Sequence, residues 1–146
     1  MSRVLADPDD HLLLGRVAGR NVGVLRLSTA VWKGERYGET GIYLDPELHG
    51  RGLGGRLLER FPGWSWTHVP ALRGLFARVD QDNAASRRIF EKAGFRLLPA
   101  RLWGGLSAAE LVATLAALVR EDRAPDSGGR PDSELRYMGF FHDLTG

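Results

Sequence analysis

The chain has 146 residues, of which 43% are hydrophobic and 26% charged, and its formal net charge is +2. This length and composition predict a single globular domain over residues 1–146, and they argue against a coiled coil or a disordered chain. No cysteine is present, no apolar run approaches the roughly 20 residues that span a bilayer, and the basic residues are dispersed, so we expect a cytoplasmic protein that binds no metal, no nucleic acid and no membrane.

Patterns in the first half of the chain predict three antiparallel strands and then a helix. Apolar runs over His11–Val17 and Val22–Leu27, joined by the turn-prone AGRN, predict a hairpin. The segment TAVWKGERYG is expected to be a connection to the third strand, Glu39–Leu44. A glycine-rich segment follows, and after it apolar residues recur with the period of a helix that ends at Pro62–Gly63. These residues are Leu53, Leu57, Leu58 and Phe61.

The middle of the chain predicts a strand followed by a capped helix. Leu75–Asp80 is a compact apolar run typical of a strand, and NAASRRIFEKAGF follows it with helical spacing. Asp82 or Asn83 is suited to cap this helix, and Gly94 is suited to end it. The residues on its apolar face are Ile89, Phe90 and Ala93.

The last third of the chain predicts a strand, a helix and a closing strand. FRLLPARLW is expected to be a strand, and Ser107–Asp122 a helix, because Ser107 and Glu110 have the spacing of a capping box. A connector rich in Pro, Gly and Ser then leads to the closing strand, Glu134–Leu144. The apolar stripe of the helix consists of Leu111, Leu115, Leu118 and Val119.

The segment HGRGLGG, residues 49–55, has the composition of a ligand-binding loop. A strand, a glycine-rich turn and a helix can place an anion on the N–H groups at the positive end of the helix dipole, so a phosphate is the first candidate. The Walker motif is excluded, since no Gly-Lys-Ser or Gly-Lys-Thr is present. Gly50, Gly52 and Gly55 match the dinucleotide pattern G-x-G-x-x-G, but DPELH separates them from the strand and a hairpin precedes them. A purely structural role, in packing the turn against the helix, is the remaining alternative.

Two motifs in this order resemble those of the GCN5-related N-acetyltransferase (GNAT) family. The family's glycine motif is Arg or Gln, two residues, Gly, one residue, then Gly or Ala; it corresponds here to His49–Gly54, with Leu44 and Pro46 in the family's places before it. The family's second motif, an Asn and a helix ending in YEKxGF, corresponds to Asn83 and FEKAGF. The resemblance covers residues 12–95 and the closing strand. It implies an α/β (α+β) fold with a mixed, mostly antiparallel sheet of about six strands, flanked by helices and splayed at the cofactor site.

The resemblance also implies a site for acetyl-coenzyme A (acetyl-CoA) in the gap of the sheet. The pantetheine arm would bind along Glu39–Leu44 as an added strand, and the pyrophosphate would bind the N–H groups of the glycine segment. Arg51 and Arg56 would add positive charge there, and Arg87 and Arg88 would reach the nucleotide phosphate. The residues that match the family's cofactor contacts are Leu44, His49, Gly50, Arg51, Gly52, Leu53, Gly54, Gly55, Asn83, Ser86 and Phe90.

The implied reaction is direct attack of an amine on the thioester, which needs a base and a proton for the leaving thiolate. Phe90 stands where the family usually has the tyrosine that gives this proton, and phenylalanine cannot donate one. Water, Tyr43 or Tyr137 would then supply the proton, and Tyr43 is our candidate. Glu39, Asp45 and His49 lie on or near the splayed strand as candidates for the base. Glu39 is the first of them, because a carboxylate in such a cleft can relay a proton through water.

A second departure from the family concerns the N-terminus. Family members usually begin with a strand and two helices that form the floor of the acceptor site, whereas the hairpin here starts at His11. We therefore expect a shortened domain with a core over residues 11–98, an inserted helix over 107–122 and the closing strand over 134–144. The inserted helix, a second copy in a homodimer, or another chain would cover the acceptor site.

Two functions follow from the resemblance. The first is an N-acetyltransferase that moves an acetyl group from acetyl-CoA to an amine of a small molecule or a peptide. The alternative is a non-catalytic acyl-CoA-binding module, or a subunit that needs a partner to complete the acceptor site; Phe90 and the short N-terminus favour it. A nicotinamide-binding protein is the third interpretation of the glycine segment.

Overall fold

The structure is a computed structural model that describes residues 2–3, 10–44, 52–120 and 136–144. In these residues seven strands form one sheet in the order β1-β2-β3-β4-β5-β7-β6. The strands are β1 (Ser2–Arg3), β2 (Asp10–Val17), β3 (Arg20–Trp32), β4 (Glu35–Leu44), β5 (Leu72–Asp80), β6 (Arg96–Leu98) and β7 (Tyr137–Asp143). The α-helices are α1 (Leu53–His68), α2 (Ala84–Lys92) and α3 (Ala108–Val119).

The sheet is mixed and mostly antiparallel, as the resemblance implies. β4 and β5 are parallel, and all the other neighbouring strands pair antiparallel. β1 has only two residues and pairs with β2 ahead of the hairpin. Without the two-residue β1, the sheet has six strands in the residues that the structure describes, so the expected number of about six is confirmed. The expectation that the sheet starts with the hairpin is wrong, because β1 precedes it.

The segment TAVWKGERYG is not a connection, contrary to expectation. β3 continues to Trp32 and pairs with all ten residues of β4. Lys33 and Gly34 between them have φ values of 49° and 83°. Positive φ at both positions closes a two-residue turn whose twist matches that of the strand pair. The result is one long hairpin that carries β4 to the centre of the sheet.

The prediction that a helix ends at Pro62–Gly63 is wrong, because α1 continues to His68. Pro62 lacks an N–H and so removes one helical hydrogen bond. Phe61 and Pro62 are nevertheless buried, and the ring of Trp64 stacks on those of Phe61 and His68 at centroid distances of 6.2 and 4.7 Å. Packing of this second half outweighs the local preference of proline.

β5 begins three residues before the predicted Leu75, and the elements after it follow the predictions with shorter bounds. β6 covers only the first residues of the expected strand FRLLPARLW, and a 3₁₀ turn over Ala100–Leu102 follows Pro99. Proline cannot donate to a sheet, which explains the early end of the strand. The capping box of α3 is present, with Glu110 N donating to Ser107 Oγ at 3.2 Å. The predicted ends at 121–122 and 134–135 lie outside the described residues. No helix in the described ranges is long and apolar enough to cross a bilayer.

Helices cover both faces of the sheet. α1 and α2 pack on one face, over a cluster that contains Phe61 and Phe140. α3 packs on the other face, where Leu115 joins Phe76 and Phe141. The adjacent residues Phe140 and Phe141 are both fully buried, because successive side chains of a strand point to opposite faces. In the apolar stripe of α3, Leu111 and Leu115 are buried, while Leu118 and Val119 pack partly buried against the same cluster.

Tyr37 is a buried titratable group in the cluster beneath α3. Burial raises the pKa of Tyr37 to about 12, and the 2.8 Å hydrogen bond that its hydroxyl donates to Glu35 Oε2 adds to this effect. The unfolded chain releases this proton at a lower pH than the folded chain. The neutral phenol therefore favours folding in full below about pH 10, and this contribution is lost as the pH rises towards 12.

We predict that the free energy of unfolding of the wild type falls between pH 10 and pH 12 more steeply than that of Tyr37→Phe, by up to about 1.4 kcal/mol per pH unit. Urea unfolding at several pH values in this range measures both slopes. Tyr43→Phe is the control for the loss of a phenol hydroxyl, since the Tyr43 side chain is exposed. If the free energy of unfolding falls equally steeply with pH in the wild type and in Tyr37→Phe, the buried Tyr37 phenol is not the cause of the fall.

Candidate active site

β4 and β5 separate partway along their length. Their parallel pairing ends at Glu39↔Phe76, whereas β4 stays paired with β3, and β5 with β7, to their last residues. The backbone of residues 40–44 and 77–80 therefore faces a gap with no strand between β4 and β5. This is the splayed sheet that the resemblance implies.

A cavity of about 470 Å³ lies where the end of β4 meets the N-termini of α1 and α2. Gly52 is the N-cap of α1, and it has no side chain to accept from the N–H groups of the first turn. Free N–H groups and the helix dipole favour an anion at such a position. We call this the helix-end cavity; it is lined by Ile42, Tyr43, Leu44, Gly52, Leu53, Gly54, Gly55, Asn83, Ala85, Ser86, Arg88, Ile89 and Lys92.

The three described glycines of the loop have different reasons to be glycine. Gly52 has a φ of 73°, which favours glycine, while nothing lies within 4 Å of a Cβ built on it. A Cβ on Gly54 would lie 2.7 Å from Leu44 Cδ1, so this position lets α1 pack closely on β4. A Cβ on Gly55 would meet Ile89 at an ordinary 3.6 Å. Local structure therefore explains Gly52 and Gly54 but not Gly55, which borders the helix-end cavity.

Asn83 is the residue that caps α2, and its Oδ1 accepts from Ser86 N at 3.0 Å. The turn before it is held by Asp80, whose carboxylate accepts from Asp82 N at 3.0 Å and from Arg136 Nε at 2.9 Å. The Asp82 N–H and then the Arg136 guanidinium hold the pKa of Asp80 below its ordinary value. These bonds place the N-terminus of α2 next to the gap.

The arginines expected near the phosphates lie in different places. Arg88 lines the helix-end cavity. Arg87, its neighbour in α2, lines a different cavity near β6 and β7, and Arg56 lies at a small pocket beside β2, so neither is where it was expected. Arg51 is outside the described residues, as are His49 and Gly50.

A smaller pocket of about 170 Å³ lies in the gap itself, and we call it the gap pocket. Phe90 lines it and is only 3% exposed, with its ring 5.1 Å from that of Phe95 and 6.1 Å from that of Phe140. Thr40 also lines it, and the hydroxyl of Thr40 is buried and has no hydrogen-bond partner. A buried hydroxyl without a partner costs about 1–3 kcal/mol, so a ligand with polar groups in the gap would be stabilised there.

A third pocket, of about 340 Å³, contains both residues predicted to be catalytic, and we call it the Glu39 pocket. Glu39 and Tyr43 share one face of β4 with Tyr37, because they lie at even spacings along the strand. Glu39 Oε1 lies 3.2 Å from Arg78 Nε in a half-exposed ion pair. Tyr43 is 64% exposed and borders this pocket, the gap pocket and the helix-end cavity.

Several residues that line these pockets were not singled out from the sequence, among them Thr40, Arg78 and Lys92. Thr40 and Arg78 belong to strands, and the sequence gives no signal for them until it is known which strands border the gap. Lys92 lies one turn after Arg88 on α2, so helical spacing from Arg88 would have found it. No cluster of three or more metal-ligating side chains occurs in the described part of the chain.

Comparisons with known proteins agree with this geometry. A family model described as an acetyltransferase (GNAT) domain matches residues 6–96, more than half of the 146 residues. No curated protein matches the chain.

Solved structures that match this fold include acetyltransferases of low sequence identity. A chimera of the spermidine N-acetyltransferase SpeG of Vibrio cholerae and hSSAT has a TM-score of 0.63 at 14% identity, and the match covers 96% of this chain and 70% of that one. A GNAT family acetyltransferase from Streptococcus pneumoniae has a TM-score of 0.59 at 17% identity, with 94% and 68% covered. YncA, a putative acetyltransferase from Salmonella typhimurium solved with acetyl-CoA, has a TM-score of 0.57 at 20% identity, with 94% and 66% covered.

We predict that Asn83→Ala lowers the free energy of unfolding by about 1 kcal/mol, because the Ser86 N–H loses its acceptor at the helix end. Urea or thermal unfolding measures the change. Asp82→Ala is the matched control, since Asp82 was the alternative cap and its carboxylate does not accept from α2. A larger loss in Asp82→Ala than in Asn83→Ala would overturn the choice of cap.

Proposed function

Because the chain belongs to the GNAT family of acetyltransferases, we propose that it is an N-acetyltransferase that moves an acetyl group from acetyl-CoA to an amine of a small molecule or a peptide. The observation that carries this proposal is the meeting of the strand gap with the helix-end cavity. Two of the solved structures with this fold support it, because one is named as a spermidine N-acetyltransferase chimera and another was solved with acetyl-CoA.

The chain's own groups suit the parts of acetyl-CoA. The N–H groups at the start of α1 favour the pyrophosphate, and Arg88 and Lys92 add positive charge to the same cavity. The backbone of residues 40–44 has no strand on its gap side, so the pantetheine amides would add to β4 as a strand does. The buried hydroxyl of Thr40 offers a further hydrogen bond in the gap.

The proposed reaction forms a C–N bond and breaks a C–S bond. The amine nitrogen attacks the thioester carbonyl carbon, and the tetrahedral intermediate then expels the CoA thiolate. Glu39 takes the proton that the amine loses, directly or through water, because its carboxylate lies in the Glu39 pocket. Tyr43 gives a proton to the thiolate. Its side chain, which carries the hydroxyl, borders both the Glu39 pocket and the gap pocket.

A non-catalytic acyl-CoA-binding module is the second candidate, and Phe90 favours it. The ring at this position lines the gap pocket but has no proton to donate. A module of this kind would bind acetyl-CoA in the same way and release no thiol.

Acetyl-CoA should bind to the purified protein in a calorimetric titration, whereas NAD should not. Arg88→Gln should weaken acetyl-CoA binding by about three- to tenfold, the effect of losing one partly exposed contact between a cation and a phosphate. Arg87→Gln is the matched control, since the neighbouring residue lines another cavity and should leave the affinity unchanged. If the protein binds NAD and does not bind acetyl-CoA, the proposal is contradicted and a dinucleotide site is supported.

Tyr43→Phe should lower kcat for thiol release by about ten- to a hundredfold, at the low end for a general acid because a thiol is already a good leaving group. Phe90→Tyr in the Tyr43→Phe background should restore part of this loss, since it returns a phenol to the gap pocket. Tyr137→Phe is the control and should change little, because Tyr137 lines none of the three pockets.

These rates are measured as thiol release from acetyl-CoA over a panel of small and peptide amines. No turnover by the wild type or by Phe90→Tyr, in protein that binds acetyl-CoA, would reject the enzyme and leave the binding module.

A further inference from the structure

A cavity of about 600 Å³ lies where β6 ends and β7 begins. It is larger than the helix-end cavity, and none of its lining residues lines that cavity, the gap pocket or the Glu39 pocket. We call it the edge cavity and define it by Arg87, Leu97, Arg101, Trp103, Tyr137 and Gly139. The proposed acetyl transfer makes no use of it.

The charge of the edge cavity has one sign. Arg87 and Arg101 line it, and no acidic side chain does so among the described residues. The Nε of Arg87 is buried without a hydrogen-bond partner. A guanidinium that is partly removed from water without a counter-ion is costly, so an anion in the cavity would be stabilised.

Trp103 also lines the cavity and carries a second buried donor. It is 6% exposed, and its indole Nε1 has no hydrogen-bond partner. The indole lies on Gly139, where a Cβ would come within 2.5 Å of Nε1, and edge to face on Phe76 at 5.5 Å. Packing therefore holds the indole N–H of Trp103 in a place where it has no acceptor. A hydrogen-bond acceptor bound in the cavity would offer a partner to Trp103 Nε1 and Arg87 Nε.

Apart from Gln81, the rest of the lining is mostly apolar, and part of it is open to solvent. Leu97 is 52% exposed and Tyr137 43% exposed, and both border the cavity. Large apolar side chains exposed together at the mouth of a cavity are typical of a ligand site. We propose that the edge cavity binds a small organic anion, a carboxylate on an apolar body of about the size of a fused ring.

The probe for this site is 2-naphthoate, and its neutral isostere 2-naphthamide is the control ligand. The indole N–H resonances of the four tryptophans report binding in ¹⁵N-correlated NMR spectra, and Trp103→Phe identifies the resonance of Trp103. We expect 2-naphthoate to shift the Trp103 indole resonance in a saturable manner and to leave the other three in place. 2-Naphthamide should bind at least about tenfold more weakly, because it lacks the charge.

Two neighbouring arginines of α2 provide matched variants. Arg87→Gln should weaken 2-naphthoate binding by about tenfold and leave acetyl-CoA binding unchanged, while Arg88→Gln should do the reverse. Arg101→Gln, at an exposed residue, should also weaken the probe. The NMR readout needs neither acetyl-CoA nor turnover, so the edge cavity and the acetyltransferase can fail separately. The inference is overturned if Trp103 shows no saturable shift, if the amide binds as well as the carboxylate, or if Arg87→Gln and Arg101→Gln bind the probe like the wild type.

Discussion

The separation of β4 from β5 beyond Glu39↔Phe76 is the constraint on which the site depends. β4 is tied to β3 along its whole length and β5 is tied to β7, so neither strand can close the gap without giving up its own partner. The facing backbone groups then have to find hydrogen bonds outside the sheet. An extended ligand with amide groups meets this need in the way an added strand does. The two helix N-termini lie at the end of the same gap, where they suit the charged part of such a ligand.

The segment between β6 and β7 connects this gap with the other face of the sheet. Trp103, from that segment, packs on Phe76 of β5, and the guanidinium of Arg78 lies 5.8 Å from the ring of Phe76 and 6.0 Å from that of Trp103. Arg78 in turn pairs with Glu39 on β4. The inserted segment therefore supports the ion pair at the edge of the gap while its tryptophan also forms the wall of the edge cavity.

What could be predicted from the sequence was local. The cap at Asn83 and the capping box at Ser107 depend on residues three positions apart, and both helix starts were predicted correctly. The end of α1 was missed because the burial of Pro62 depends on the sheet beneath it. The motifs singled out several of the residues that line the helix-end cavity, whereas the different positions of Arg87 and Arg88 depend on how α2 is rotated against its neighbours. Contacts between segments that are distant in the sequence cannot be predicted from local patterns. An example is Thr40, which lines the gap pocket together with residues of β5 and α2.

The proposed exchange of roles between Phe90 and Tyr43 is consistent with the packing around each ring. Phe90 lies among Phe95 and Phe140, so the ring is held by apolar contacts that need no hydroxyl. Tyr43 extends back along β4, and its hydroxyl lies 3.5 Å from a Cβ built on Gly41. Gly41 stands midway between Glu39 and Tyr43, so the absence of a side chain there leaves the phenol over the stretch of β4 that faces the gap. The proposed donor, Tyr43, would then lie on the strand along which the cofactor arm binds, on the same face as the proposed base, Glu39. With phenylalanine at position 90, the proton would reach the thiolate from β4 and not from α2.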